Sequence, residues 1–148
     1  IIDTPPQKGH LGLTSLGASD YAVIPAEVAA KGVNSLTETW ALIEESKSLE
    51  AFKGEIIGVL PFRARWVGNF PTTETNANML LMKDFIGDKL LPPLLESEVY
   101  KKAVNYAQIP SEVSEEKVDL EYPFDVLLKR LLGSKLESSP GIDDEVLV

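Results

Sequence analysis

The residues with the clearest chemical potential open the chain, as Ile1-Ile2-Asp3-Thr4-Pro5-Pro6. Two β-branched apolar residues read as the end of a buried strand. The prolines that follow stop it, because proline has no N–H for a ladder. An acid at the carboxyl end of a parallel strand stands where ligands bind in open α/β sheets. Mg²⁺ takes hard oxygen ligands, so a carboxylate held there suits it, directly or through water. An aspartate that only caps the turn before the prolines fits the same residues. Other chemistries are poorly supplied. The chain has no cysteine and one histidine, His10. Disulfides, thiolate metal sites and cysteine nucleophiles are excluded, and so is a multi-histidine metal centre. A Ser-His-Asp triad would depend on His10 alone, which reads more simply as a surface or helix-start residue.

A second set of residues is cationic. Arg63 and Arg65 alternate in one stretch with Phe62 and Trp66 beside them, and Lys101-Lys102 and Lys129-Arg130 are short basic pairs. Arginine contacts phosphate and stacks on bases, which makes Arg63, Arg65, Lys101 and Lys102 candidate contacts to DNA. Scattered solvated charges offsetting an acidic surface are the alternative. The formal net charge of −9 argues against binding DNA by bulk charge, so only a local patch would serve.

These residues need elements to hold them. A chain of 148 residues, 44% hydrophobic and 25% charged, has the composition of one soluble domain, and no run reaches the roughly 18 apolar residues of a membrane span. Tyr21-Ala22-Val23-Ile24 reads as a buried strand ended by Pro25, and residues 55–60 (Glu-Ile-Ile-Gly-Val-Leu) as a stronger one. Leu90-Leu91 is a brief third strand, closed by Pro92-Pro93. Between them, helices are expected at 11–17, 29–49 and 72–86, the second on the spacing of Val33, Leu36, Trp40 and Ile43. Ser97 caps a further helix to residue 107. Residues 61–71 read as a loop, 111–121 as an acidic connector and 123–132 as a last amphipathic helix, with a disordered acidic tail over 134–148. Strands alternating with helices imply an α/β fold: part of a doubly wound, mainly parallel sheet flanked by helices.

The order of the motifs adds a family. Ile1-Ile2-Asp3-Thr4-Pro5-Pro6 resembles the Walker B segment of ParA-type partition ATPases, relatives of MinD. Leu11-Gly12-Leu13-Thr14, Tyr21 to Pro25, Ala29-Ala30-Lys31-Gly32-Val33 and Ile56-Ile57-Gly58-Val59-Leu60-Pro61 follow in the family's order. Pro92-Pro93, Lys102-Ala103 and the terminal helix extend the resemblance to residue 132. Lys31 stands where many relatives carry Glu, and Leu94 where many carry Arg.

The resemblance implies that residues 1–133 are the C-terminal half of a P-loop NTPase domain, with the phosphate-binding loop lying upstream of Asp3. On that expectation the isolated chain is catalytically inactive. The whole protein is expected to hydrolyse ATP with Mg²⁺, dimerise in the ATP state, bind DNA non-specifically and respond to a ParB-like partner in plasmid or chromosome partition. Asp3 would be the catalytic and Mg²⁺-organising acid, with Thr4 beside it. Pro61 and Phe62, then Pro92 and Pro93, would border the adenine, or would only terminate strands. A cytoplasmic, nucleoid-associated protein without a membrane role is expected. The rival readings are another MinD/ParA-superfamily ATPase (a septum-site regulator, a cargo-positioning protein or an iron–sulfur carrier) and a non-enzymatic binding fragment.

Overall fold

The computed structural model describes residues 1–4, 9–113 and 120–138. At its centre lies a βαβ unit: β1 (Tyr21–Glu27), α2 (Ala30–Ser48) and β2 (Glu55–Phe62), after a short leading helix α1 (His10–Gly17). β1 and β2 are parallel, in register from Tyr21 opposite Glu55 to Glu27 opposite Phe62, with one irregularity between Ala22 and Val23. Six of the eight β2 residues are buried, as an apolar run covered on both faces should be. A second crossover through α3 (Thr73–Ile86) returns the chain to the far side of β2. There Leu90 bridges Val59 and Leu95 bridges Ala64, both in the parallel sense. The bonds are short: the Leu91 N–H donates to the Val59 carbonyl at 2.9 Å and the Leu94 N–H to the Pro61 carbonyl at 2.8 Å. The sheet is thus β1, β2 and the 90–95 segment, an α/β fold with parallel pairing.

The core is built where α2 and α3 meet this sheet. Leu36 and Ile43 of α2, Met82 and Ile86 of α3, Ile24 and Ala26 of β1, Ile56 and Val59 of β2, and Phe52 form one cluster. Burying a leucine-sized side chain there contributes about 2 kcal/mol. Two glycines allow the layers to close. A β-carbon on Gly32 would fall on the Glu27 carbonyl, and one on Gly58 would meet Leu91 at 2.9 Å. The last helices, α4 (Glu98–Tyr106), α5 (Pro110–Val113) and α6 (Tyr122–Ser138), follow the sheet, and α6 packs on β2.

Several expectations change. Ile1 and Ile2 are not in a buried strand: residues 1–4 have no regular structure and both isoleucines are exposed. Two residues without a ladder partner gain too little to offset the entropy of ordering. Pro25 does not end its strand, which continues to Glu27. The Val28 N–H donates to the Phe62 carbonyl, so by alternation the even residues of β1 face β2. The missing N–H of Pro25 therefore lies on the outer edge, where no donor is needed. The loop over 61–71 contains a hairpin, β3 (Trp66–Val67) and β4 (Phe70–Pro71), turning at Gly68 with φ +61°. Helix α6 runs past residue 132 to Ser138, and residues 114–119 of the connector and 139–148 of the tail lie outside the described residues.

Candidate functional site

The carboxyl ends of β2 and of the 90–95 segment lie side by side, which brings Pro61 and Phe62 next to Pro92 and Pro93. The pairing that does this is the Leu94 to Pro61 bond and its continuation, Ala64 N–H to the Leu94 carbonyl at 3.1 Å and Glu96 N–H to the Ala64 carbonyl at 2.8 Å. Pro61 is fully buried and Phe62 half-buried. Phe62 also lines an open cavity of about 210 Å³ between the end of β1 and the start of α2, together with Glu27, Lys31, Ser35, Leu36 and Thr39. A proline-walled edge with an aromatic ring can flank a planar base; the prolines do not terminate the strands as expected, since β2 runs on to Phe62 and the pairing continues to Ala64 and Glu96.

Asp3 and Thr4 are not drawn into this site. Both are exposed, in a segment without regular structure, and Pro5 and Pro6 beyond them are outside the described residues. Among the described residues no group of three or more His, Asp or Glu side chains could hold a metal ion. A lone exposed carboxylate does not make a Mg²⁺ site, so the described residues do not fit the ion by themselves.

The cationic residues have partners that their sequence spacing does not reveal. Arg63 Nη1 lies 2.9 Å from Glu27 Oε1, and its guanidinium stands 6.0 Å from the Phe62 ring centre. Arg65 Nε donates to Glu96 Oε2 at 2.6 Å. That hydrogen bond holds the Glu96 carboxyl below the usual carboxylate range and raises Arg65 further. Lys101 pairs with Glu98 at 2.7 Å, one turn back on α4, and that bond raises the lysine. Lys102 is exposed. Three of the four candidate DNA contacts are therefore engaged by carboxylates. Arg130, from the other basic pair, reaches instead to the carbonyls of Ile57 and Lys89 at 3.4 Å and of Leu90 at 3.5 Å. Glu27 and Glu96 are the site residues that sequence reasoning missed. Glu27 lies 36 residues from Arg63 and Glu96 lies 31 from Arg65, and only the sheet brings them together.

Solved structures share the fold. Apo McdA from Cyanothece superposes with a TM-score of 0.73 at 38% identity, over 79% of this chain and 46% of that one. Over the superposed part, the fold is that of McdA. A variant of Cyanothece McdA in complex with ATP superposes with a TM-score of 0.74, again at 38% identity, over 79% of this chain and 45% of that one. In sequence, the chain is 43% identical over 132 residues to the maintenance of carboxysome distribution protein A of Synechococcus elongatus. It is 39% identical over 136 residues to the same-named protein of Gloeothece citriformis. The matches cover 88% and 91% of this chain and 52% of each relative, so the chain spans about half the length of these McdA proteins. No protein-family model matches it.

Proposed function

We propose that this chain is the C-terminal half of a cargo-positioning ATPase of the ParA/MinD superfamily. The observation that carries the reading is the 43% identity, across 88% of the chain, to a protein named for maintaining carboxysome distribution. Plasmid or chromosome partition has no such support, because the named relatives distribute a different cargo. Cargo positioning, the alternative within the same superfamily, takes its place.

In this reading the juxtaposed segments at Pro61-Phe62 and Pro92-Pro93 border the adenine, and Asp3, with Thr4, is the carboxylate assigned to Mg²⁺. ATP as the ligand is supported by the nucleotide complex of a structural relative. Phosphoryl transfer needs backbone donors and a lysine around the phosphates, and a half-domain that supplies only the base wall and one acid lacks them. The function then includes a dimer in the ATP state, non-specific DNA as the track, a ParB-like partner, and a cytoplasmic, nucleoid-associated location. Among the described residues no helix is long and apolar enough to cross a membrane.

The test is binding of a fluorescent ATP analogue with Mg²⁺ to the 148-residue chain and to the chain extended upstream by a domain-sized ~120 residues of its reading frame. The extended form binds and hydrolyses ATP, Asp3→Ala abolishes hydrolysis, and the short chain does neither. Nucleotide binding by the short chain alone, or none by the extended one, would reject the reading.

A further inference from the structure

Arg63 and Arg65 sit on a backbone gripped from both sides. Between them Ala64 is 1% exposed and bonds twice to the 94–96 segment. The Arg65 N–H donates to Thr75 Oγ1 at 3.0 Å, at the start of α3. Arg63 adopts φ +57°, a left-handed conformation that disfavours any residue with a β-carbon and persists only where the surroundings impose it. The two arginines are therefore presented by a fixed segment and do not swing on a free loop. Their side chains remain 63% and 65% exposed, and each guanidinium gives one of its five N–H groups to a carboxylate from a different element. Spare donors suited to phosphate are in place.

The charges around them point the other way. Arg63, Arg65 and Lys101 share their surroundings with Glu27, Glu74, Glu96 and Glu98, which interact with them electrostatically. These carboxylates offset the cations beside them, on a chain already at −9. A phosphate backbone gains by neutralisation with cations, and here the cations are already neutralised.

We propose that Glu27 and Glu96 are a built-in counter-anion, an autoinhibitory contact that keeps Arg63 and Arg65 positioned for a phosphate backbone while suppressing its binding. The proposal rests on the DNA-contact reading of these arginines. In the ordinary state the carboxylates offset the charge that a phosphate would otherwise meet; whatever turns Glu27 and Glu96 away exposes a rigid guanidinium pair.

The experiment is fluorescence anisotropy of a labelled random duplex of about 25 base pairs with the 148-residue chain at ~50 and ~200 mM salt, conditions that span strong screening differences. Glu27→Gln/Glu96→Gln tightens binding about tenfold at the lower salt, as expected when two exposed ion pairs cease to compete. Adding Arg63→Ala/Arg65→Ala to that variant erases the gain. Two variants stay as weak as the wild type. One is Glu45→Gln/Glu50→Gln, which removes the same formal charge in the last turn of α2 and just beyond it, and the other is Glu27→Asp/Glu96→Asp, which keeps the charge at the site and guards against a folding effect. A gain equal in the Glu45/Glu50 variant, or one that survives loss of the arginines, overturns the proposal. Wild-type binding already as tight as the Glu27→Gln/Glu96→Gln variant, weakened by loss of the arginines, removes the autoinhibition and keeps the DNA reading. Absence of binding by every variant, in the 148-residue chain and in the upstream-extended protein with ATP and Mg²⁺ alike, removes both.

Discussion

Single side chains tie the later helices to the sheet. Arg130 spans three carbonyls, of Ile57, Lys89 and Leu90, at 3.4–3.5 Å, so a charged head on α6 satisfies backbone acceptors of β2 and of the turn beside it. These bonds are long, and Arg130→Ala is expected to lower stability by about 1.5 kcal/mol in urea unfolding, the low end for a charged donor. Tyr100 plays a similar part between α4 and the start of α6, donating to the Leu120 carbonyl at 2.8 Å; burial raises its hydroxyl above the ordinary value of 10.0. That raised group contributes stability in full below the ordinary value, and the contribution disappears as pH climbs through the folded one. Glu96 has the opposite sign. Its carboxyl is lowered from 4.5 by the Arg65 hydrogen bond, so its contribution is present above that value and is lost as pH falls through the folded one. Urea midpoints of the wild type and Glu96→Gln, taken from neutral to acid pH, are therefore expected to converge as the carboxyl protonates.

At the scale of elements, local chemistry marks starts and stops well. Thr72 accepts from the Thr75 N–H and Ser97 from the Val99 N–H, each at 3.2 Å, so both helices begin where a capping hydroxyl places them. Thr72→Ala is expected to cost about 1 kcal/mol, measured by thermal unfolding. The α2–β1 contact depends on a missing side chain. Gly32→Ala would drive a β-carbon into the Glu27 carbonyl, and the displacement of α2 should cost at least ~2 kcal/mol, in the range of overpacked cores. The same residue, Glu27, carries the ion pair to Arg63, so the Gly32→Ala variant should also loosen that clasp. The hairpin at 66–71 was legible in principle: Gly68-Asn69 is a two-residue turn signal, and its flanking strands are too short to show alternation.

The whole molecule exposes what its parts do not cover. Among the described residues no strand pairs with the outer edge of β1, and Val23 on that strand is 38% exposed. An open edge templates further pairing. Val23→Lys is expected to reduce light scattering on concentration, with little change in the unfolding midpoint. The McdA structures are more than twice the length of the superposed part, at 46% and 45% coverage, so much of each McdA chain lies outside the part that superposes.

Periodicity, proline and capping residues were enough to place the βαβ unit, the parallel sheet and nearly every helix, because such signals act over a few residues. Their order also brought out the resemblance to partition ATPases, which the McdA homologues support at the level of the superfamily. Proximity in space was beyond them. That Pro61 and Pro92 share one edge and that Glu27 and Glu96 hold Arg63 and Arg65 were settled by strand pairing across more than 30 positions, and that Arg130 turns inward by the packing of α6 on β2. The apolar pair Ile1-Ile2 misled for the converse reason, since β-forming residues make a strand only where another strand bonds to them. Charge counts from sequence treat every arginine alike; the fold decides which are free, because a carboxylate at 2.6–2.9 Å removes a cation that composition still counts.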